Sequence, residues 1–129
     1  LAGISGVSSD MREITAAAKQ GNEKAILSLE MYEQRITKYV GAFAAEMGGV
    51  DIIVFTGGVG EHQSSTRANV CNPLRFMGVE IDDAANDANN GDEGIISTPN
   101  SAVKVVVIPT DEEYMIAKDT EAIIEGREP

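Results

Sequence analysis

Three short segments of this sequence combine residue types that could do chemistry. In Thr56-Gly57-Gly58-Val59-Gly60-Glu61-His62, a glycine cluster precedes an acid and the only histidine of the chain. Glycines between a strand and a helix let a ligand approach the backbone, and the N–H groups of a helix start suit an anion or a polar ring. They equally suit a plain tight turn. The spacing departs from both the GxGxxG dinucleotide fingerprint and the P-loop, so neither is supported. In Ser5-Gly6-Val7-Ser8-Ser9-Asp10-Met11-Arg12, a carboxylate and a guanidinium share the first turn of an expected helix. They could bond a ribose hydroxyl and lie flat against a base, or serve as an N-cap and a solvated charge. In Pro109-Thr110-Asp111-Glu112-Glu113, Thr110 and Glu113 have capping-box spacing. Three acids at a helix start complement its dipole; alternatively Glu112, just past a strand, takes part in holding Mg²⁺ directly or through water.

Composition removes other chemistries. The 129 residues carry 21 acidic and 10 basic side chains, a net charge of −11, which excludes a nucleic-acid binder because clustered cations are lacking. At 43% hydrophobic the chain is globular, with length for at most one ordinary domain. One histidine excludes HExxH and multi-histidine zinc centres, leaving oxygen ligands for any metal. One cysteine excludes an internal disulfide and a CxxC site, which fits a reducing, cytoplasmic setting. Cys71 lacks a base partner with recognisable spacing and reads as a packed thiol, and the acids Asp82, Asp83 and Asp87 as a solvated face without EF-hand spacing. No apolar run reaches the length of a membrane span. The start at Leu1, inside an apolar run, is expected to lie within a longer protein.

These segments need elements to hold them. A helix is expected over 9–19, opened by Ser9 or Asp10, and a long one over 23–47 with Ile26, Leu29, Ile36, Val40, Phe43 and Met47 on its apolar face. The continuous run Ile52-Ile53-Val54-Phe55 reads as a strand covered on both faces, followed by the glycine turn and a helix over 61–70 limited by Pro73. Residues 78–81 form a short strand and 82–94 a polar, partly helical segment. Val103 to Ile108 is a second buried strand, and a helix over 111–124 closes the chain with Tyr114, Met115, Ala117, Ala122 and Ile123 available for packing. Two buried strands each followed by a helix indicate an α/β fold with a partly parallel sheet.

Taken in order, Ser5 to Arg12, then DIIVFTGGVGE over 51–61, then VIPTDEEYMIA over 107–117, resemble the C-terminal part of the acetate kinase family, in the superfamily of sugar kinases, Hsp70 and actin. The resemblance implies a mixed sheet flanked by helices, part of a C-terminal ribonuclease H-like (actin-like ATPase) domain, with the N-terminal domain upstream of Leu1. It implies transfer of the ATP γ-phosphoryl group to acetate, giving acetyl phosphate and ADP, with Mg²⁺ as cofactor and a homodimer as the assembly. By matching position, Asp10, Met11 and Arg12 line the adenosine pocket, and Gly58, Val59, Gly60, Glu61 and His62 form a second nucleotide-binding turn. Glu112 falls at the magnesium-associated glutamate. The family's catalytic residues lie upstream, so the isolated chain is expected to be inactive. His62 and Asp111 stand where the family usually has asparagine. Propionate or butyrate kinase, or a fragment that acts only as an assembly module, are the alternatives.

Overall fold

The computed structural model describes residues 1–128. A four-residue helix, α1 (Ala2–Ser5), not foreseen in the sequence, ends at Gly6 in the left-handed region. Helix α2 (Met11–Lys19) begins where Asp10 accepts a hydrogen bond from the Arg12 N–H, and α3 (Glu23–Met47) where Asn22 accepts from Ala25. These side chains satisfy amides that a helix start leaves without partners. Both α1 and α2 pack on α3, burying Ile14 and Ala25 completely.

The extent of α3 agrees with the sequence periodicity, but of its expected apolar face only the middle, Ile36 and Val40, packs on the core. Ala25, Ser28, Glu33 and Ala44 are buried, whereas Ile26, Leu27, Met31, Tyr39, Phe43 and Met47 are exposed. Small residues let neighbouring elements approach the helix closely, and of the larger ones Ile36 and Val40 pack against the core. Glu33 then ties α3 to α5 (Ser64–Cys71), accepting from Thr66 Oγ1 at 3.0 Å and Asn69 Nδ2 at 2.9 Å.

The sheet is small and mixed, in the order β1-β3-β2, with helices flanking it. Strand β1 (Ile52–Phe55) runs parallel to β3 (Lys104–Val107) in the register Ile52 to Lys104 through Phe55 to Val107, and β2 (Gly94–Ile95) is antiparallel to β3. Ile53, Phe55, Val105 and Val107 face a core completed by Val70, Cys71, Leu74, Val79, Ile96 and Val103. Burial pushes the Cys71 thiol up to about 12, consistent with a packed rather than reactive group. Contrary to the reading of a doubly covered strand, Ile52 and Val54 remain 54% and 49% exposed. The segment expected as a strand over 78–81 is reduced to single bridges, Val79 to Val103 and Ile81 to Ser97.

Two further expectations change. The glycines do not form a loop: they are the body of a short helix, α4 (Gly57–His62), which breaks at Gln63 before α5 begins. The closing helix α7 (Glu112–Ile124) is capped by Asp111, which accepts from the Tyr114 N–H, and not by a Thr110–Glu113 box. Of the residues expected to pack from α7 only Ala122 is buried; Tyr114, Met115 and Ile123 are exposed. Asp82 caps α6 (Asp83–Ala88), a polar helix as anticipated, although its Asn86 is fully buried. None of the described helices is long and apolar enough to cross a membrane.

Two packing features generate stability predictions. At the N-terminal end of β3, the buried Ser101 hydroxyl accepts from the Glu80 N–H at 2.9 Å and lies 2.6 Å from the Val103 carbonyl oxygen. Ser101→Ala is expected to cost about 1–3 kcal/mol in urea unfolding, the penalty for leaving such groups unpaired. At the other end, a Cβ on Gly60 would lie 3.3 Å from the Phe55 carbonyl carbon and 3.4 Å from its Cβ, whereas one on Gly58 meets nothing within 4 Å. Gly60→Val is therefore expected to destabilise by about 1–3 kcal/mol by forcing α4 off β1, and Gly58→Ala by no more than about 0.5 kcal/mol.

Candidate functional site

Because β1 and β3 are parallel neighbours, the segments that follow them leave the sheet side by side. Ligands in open α/β sheets bind outside the carboxyl ends of the strands. Here those ends are tied together: the Thr56 and Thr110 hydroxyl oxygens are 2.7 Å apart, and the Gly57 N–H donates to Thr110 Oγ1 at 3.2 Å. Gly57 needs its positive φ of 69° to turn the chain from strand into α4 at this point. Glu61, at the far end of α4, accepts from the Thr110 N–H at 2.9 Å. That backbone bond holds its carboxyl below the usual glutamate range, with smaller help from the Thr110 side chain and Gly57.

Two clefts flank the glycines. One, of about 460 Å³, is lined by Gly57, Gly58, Glu61, Thr110, Asp111, Glu112 and Glu113. It sits over the start of α7 and its side-chain lining is mostly carboxylate. The other, of about 410 Å³, has apolar walls from Ile36, Val40, Ile53 and Phe55 and takes in Gly57, Gly58, Val59 and Gly60. Four carboxylates in one cleft offer the oxygen donors that a hard divalent cation takes. Among the described residues, however, no group of three or more His, Cys, Asp or Glu side chains is disposed as a ready metal cage. A cation held there would keep part of its water shell or share a bound phosphate, as magnesium commonly does.

The other expected residues separate. His62 lines neither cleft; its Nδ1 is 3.2 Å from the Asn90 carbonyl oxygen, and its ring covers Gly91, where a Cβ would run into the imidazole. Its geometry is that of a strut to the 89–91 loop. Asp10, Met11 and Arg12 also line neither cleft. Arg12 folds back on Asp10 with a 2.6 Å ion pair, leaving its side chain 88% exposed. The Arg12 guanidinium, with the Arg12 N–H, lowers the Asp10 carboxyl to about 2, so it is ionised throughout the neutral range. Asp10 thus serves as the N-cap of α2 while Arg12 presents its guanidinium to solvent.

Sequence reasoning missed Arg67. Its side chain is fully buried, with donors on the carbonyl oxygens of Gly60, Glu61, Asn86 and Asn89 and on Asn86 Oδ1, all between 2.7 and 2.9 Å. Nothing in Ser65-Thr66-Arg67-Ala68 marks one arginine as buried, since its partners come from α4 and α6 and are mostly main-chain oxygens.

The sequence model of the Acetokinase family matches residues 1–118. An acetate kinase of Porphyromonas gingivalis (strain ATCC BAA-308 / W83) is 60% identical over 122 residues, 95% of this chain and 31% of the relative. The crystal structure of Porphyromonas gingivalis acetate kinase superposes with a TM-score of 0.87 at 58% identity, covering 95% of this chain and 31% of that one. A propionate kinase from Francisella tularensis subsp. tularensis SCHU S4 superposes with a TM-score of 0.79 at 36% identity, over 92% of this chain and 29% of that one. The chain thus spans about a third of the length of the relatives it matches. A family match over all but the final residues, together with an α/β fold shared with solved acetate kinases, means that this chain belongs to the acetokinase family.

Proposed function

We propose that residues 1–129 are the C-terminal portion of the nucleotide-binding, actin-like lobe of an acetate kinase. The enzyme moves the γ-phosphoryl group of ATP to acetate, reversibly, giving acetyl phosphate and ADP. The observation that carries this reading is the pairing of β1 and β3, which brings the Gly57–Gly58 backbone and the Glu112 region to one cleft at the carboxyl ends of the strands.

In this reading the backbone of Gly58, Val59 and Gly60 forms the floor against which the nucleotide lies, between an acidic and an apolar wall. Asp10, Met11 and Arg12 contribute at the nucleoside end: Asp10 offers a carboxylate to a ribose hydroxyl and Arg12 a flat cation to a base. Glu61 orients the turn through Thr110, and His62 steadies its far side. Glu112 helps hold Mg²⁺, directly or through water. Bound there, the cation would supply charge neutralisation to the nucleotide phosphates. Arg12 is the only basic residue in the three site segments. The further cations and the catalytic groups that meet the transferring phosphoryl belong to the rest of the enzyme. The parent is a cytoplasmic homodimer with no nucleic-acid or membrane partner. The exposed Leu27, Met31, Tyr39 and Phe43 of α3 are apolar surface available to another subunit. Propionate kinase is the second reading, favoured by the structural match to an enzyme so named.

Two outcomes check this reading. The purified 129-residue chain is expected to form no acetyl phosphate above background in a hydroxamate assay, because charge stabilisation in phosphoryl transfer needs groups absent from it. A rate that persists after host kinase is removed would contradict this. In the complete kinase carrying this segment, Arg12→Ala is expected to raise the KM for ATP about tenfold while the KM for acetate stays within about twofold, the signature of lost cation–base and hydrogen-bond contacts. An unchanged KM for ATP removes Arg12 from the pocket.

A further inference from the structure

We propose that Arg67 is a positioning residue for the nucleotide-binding turn, acting through the carbonyl groups of Gly60 and Glu61; the inference rests on the reading of that turn given above. The turn is a six-residue helix whose chain breaks at Gln63, with φ −119° and ψ 88°. A helix that stops leaves its last carbonyl groups without N–H partners. Arg67, one turn into α5, supplies them: its Nη1 donates to Gly60 O at 2.9 Å and to Glu61 O at 2.7 Å. The rest of the guanidinium is anchored, with Nε on Asn86 Oδ1 at 2.8 Å and Nη2 on the carbonyl oxygens of Asn86 and Asn89 at 2.8 and 2.9 Å.

All five acceptors are neutral. An ion buried against neutral oxygens bears a desolvation cost that an apolar side chain would avoid. What the guanidinium supplies in return is geometry: a rigid planar fork that reaches two helix ends at once, which the point charge of a lysine cannot do. The second anchor matters because the 89–91 loop, held through Asn89, also meets His62. The end of α4 is therefore clamped from inside by Arg67 and from outside by the loop that Arg67 itself fixes. Gly60 and Glu61 are the clamped residues, Gly60 lines the apolar cleft and Glu61 the acidic one, so Arg67 sets the relation between the two walls. Arg67 lines neither cleft and touches no reacting group.

The test uses the complete kinase carrying this segment, with Arg67→Met, Arg67→Lys and Asn86→Ala. Ser101→Ala, at the opposite end of β3, serves as a destabilised control. ATP affinity by calorimetry, which needs no acceptor, is read beside the KM for acetate and Tm. Arg67→Met is expected to weaken ATP about tenfold or more, since displacement by a fraction of an ångström disturbs every turn contact. Arg67→Lys should recover part of that loss, and the KM for acetate should stay within about twofold in both variants. Ser101→Ala should lower Tm but leave ATP affinity unchanged. Asn86→Ala, which frees Nε and retains the four carbonyl bonds, is expected to weaken ATP about threefold and carries the test if Arg67→Met does not fold. The proposal is overturned if folded Arg67→Met binds ATP like the wild type, if Asn86→Ala does so where Arg67→Met fails to fold, or if Ser101→Ala weakens ATP equally. Wild-type protein that binds ATP in an Arg67-dependent manner but never phosphorylates acetate would leave positioning intact and overturn the acetate kinase reading. Wild-type protein that does not bind ATP overturns both.

Discussion

A single buried guanidinium holds the functional end of this chain together. Arg67 joins the end of α4, the body of α5 and the end of α6 through neutral oxygens, and no apolar contact could substitute for it. Two short helices, each six residues long, would otherwise end with unpaired carbonyl groups inside the protein. Short helices have little stability of their own, so their placement depends on tertiary bonds of this kind. Burial opposes the arginine's charge and lowers its proton affinity, led by desolvation, yet a guanidinium stays charged at any physiological pH.

Around that clamp the sheet provides the reference frame. The parallel pairing of β1 and β3 sets the register, Ile108 N–H continues it by donating to Phe55 O at 2.9 Å, and the threonine pair then locks the two exits. Glu61 closes the circuit by accepting from the Thr110 amide. The glycine helix is thus fixed from β1 by close packing on Phe55, from β3 by Thr110 and from α5 by Arg67. The carboxylates of the α7 start are carried on the same frame but stand in solvent.

Apolar surface stays open beside the small sheet. Ile52 and Val54 on β1, Leu27, Met31, Tyr39 and Phe43 on α3, and Tyr114, Met115 and Ile123 on α7 are exposed. Their sequence patterns announce partners: a continuous apolar strand is a strand meant for cover on both faces. Here that pattern is unsatisfied, in a chain that spans about a third of the length of the relatives it matches.

Local chemistry determined much of this protein without reference to the fold. The bounds of α3 follow from Asn22 and Gly48, those of α2 from Asp10, and the order of the three site segments carries the family, because caps, glycines and apolar runs act over a few residues. Asp111 caps α7, while the Thr110 hydroxyl is engaged by Thr56 and Gly57, more than fifty residues away in sequence. The stripe of α3 that is buried, the turn of His62 toward Asn90 and the burial of Arg67 were likewise settled by the tertiary structure. Each depends on which donors and surfaces distant segments bring to the same place, and a hydrogen bond to a main-chain carbonyl leaves no mark on the identity of the residue that accepts it.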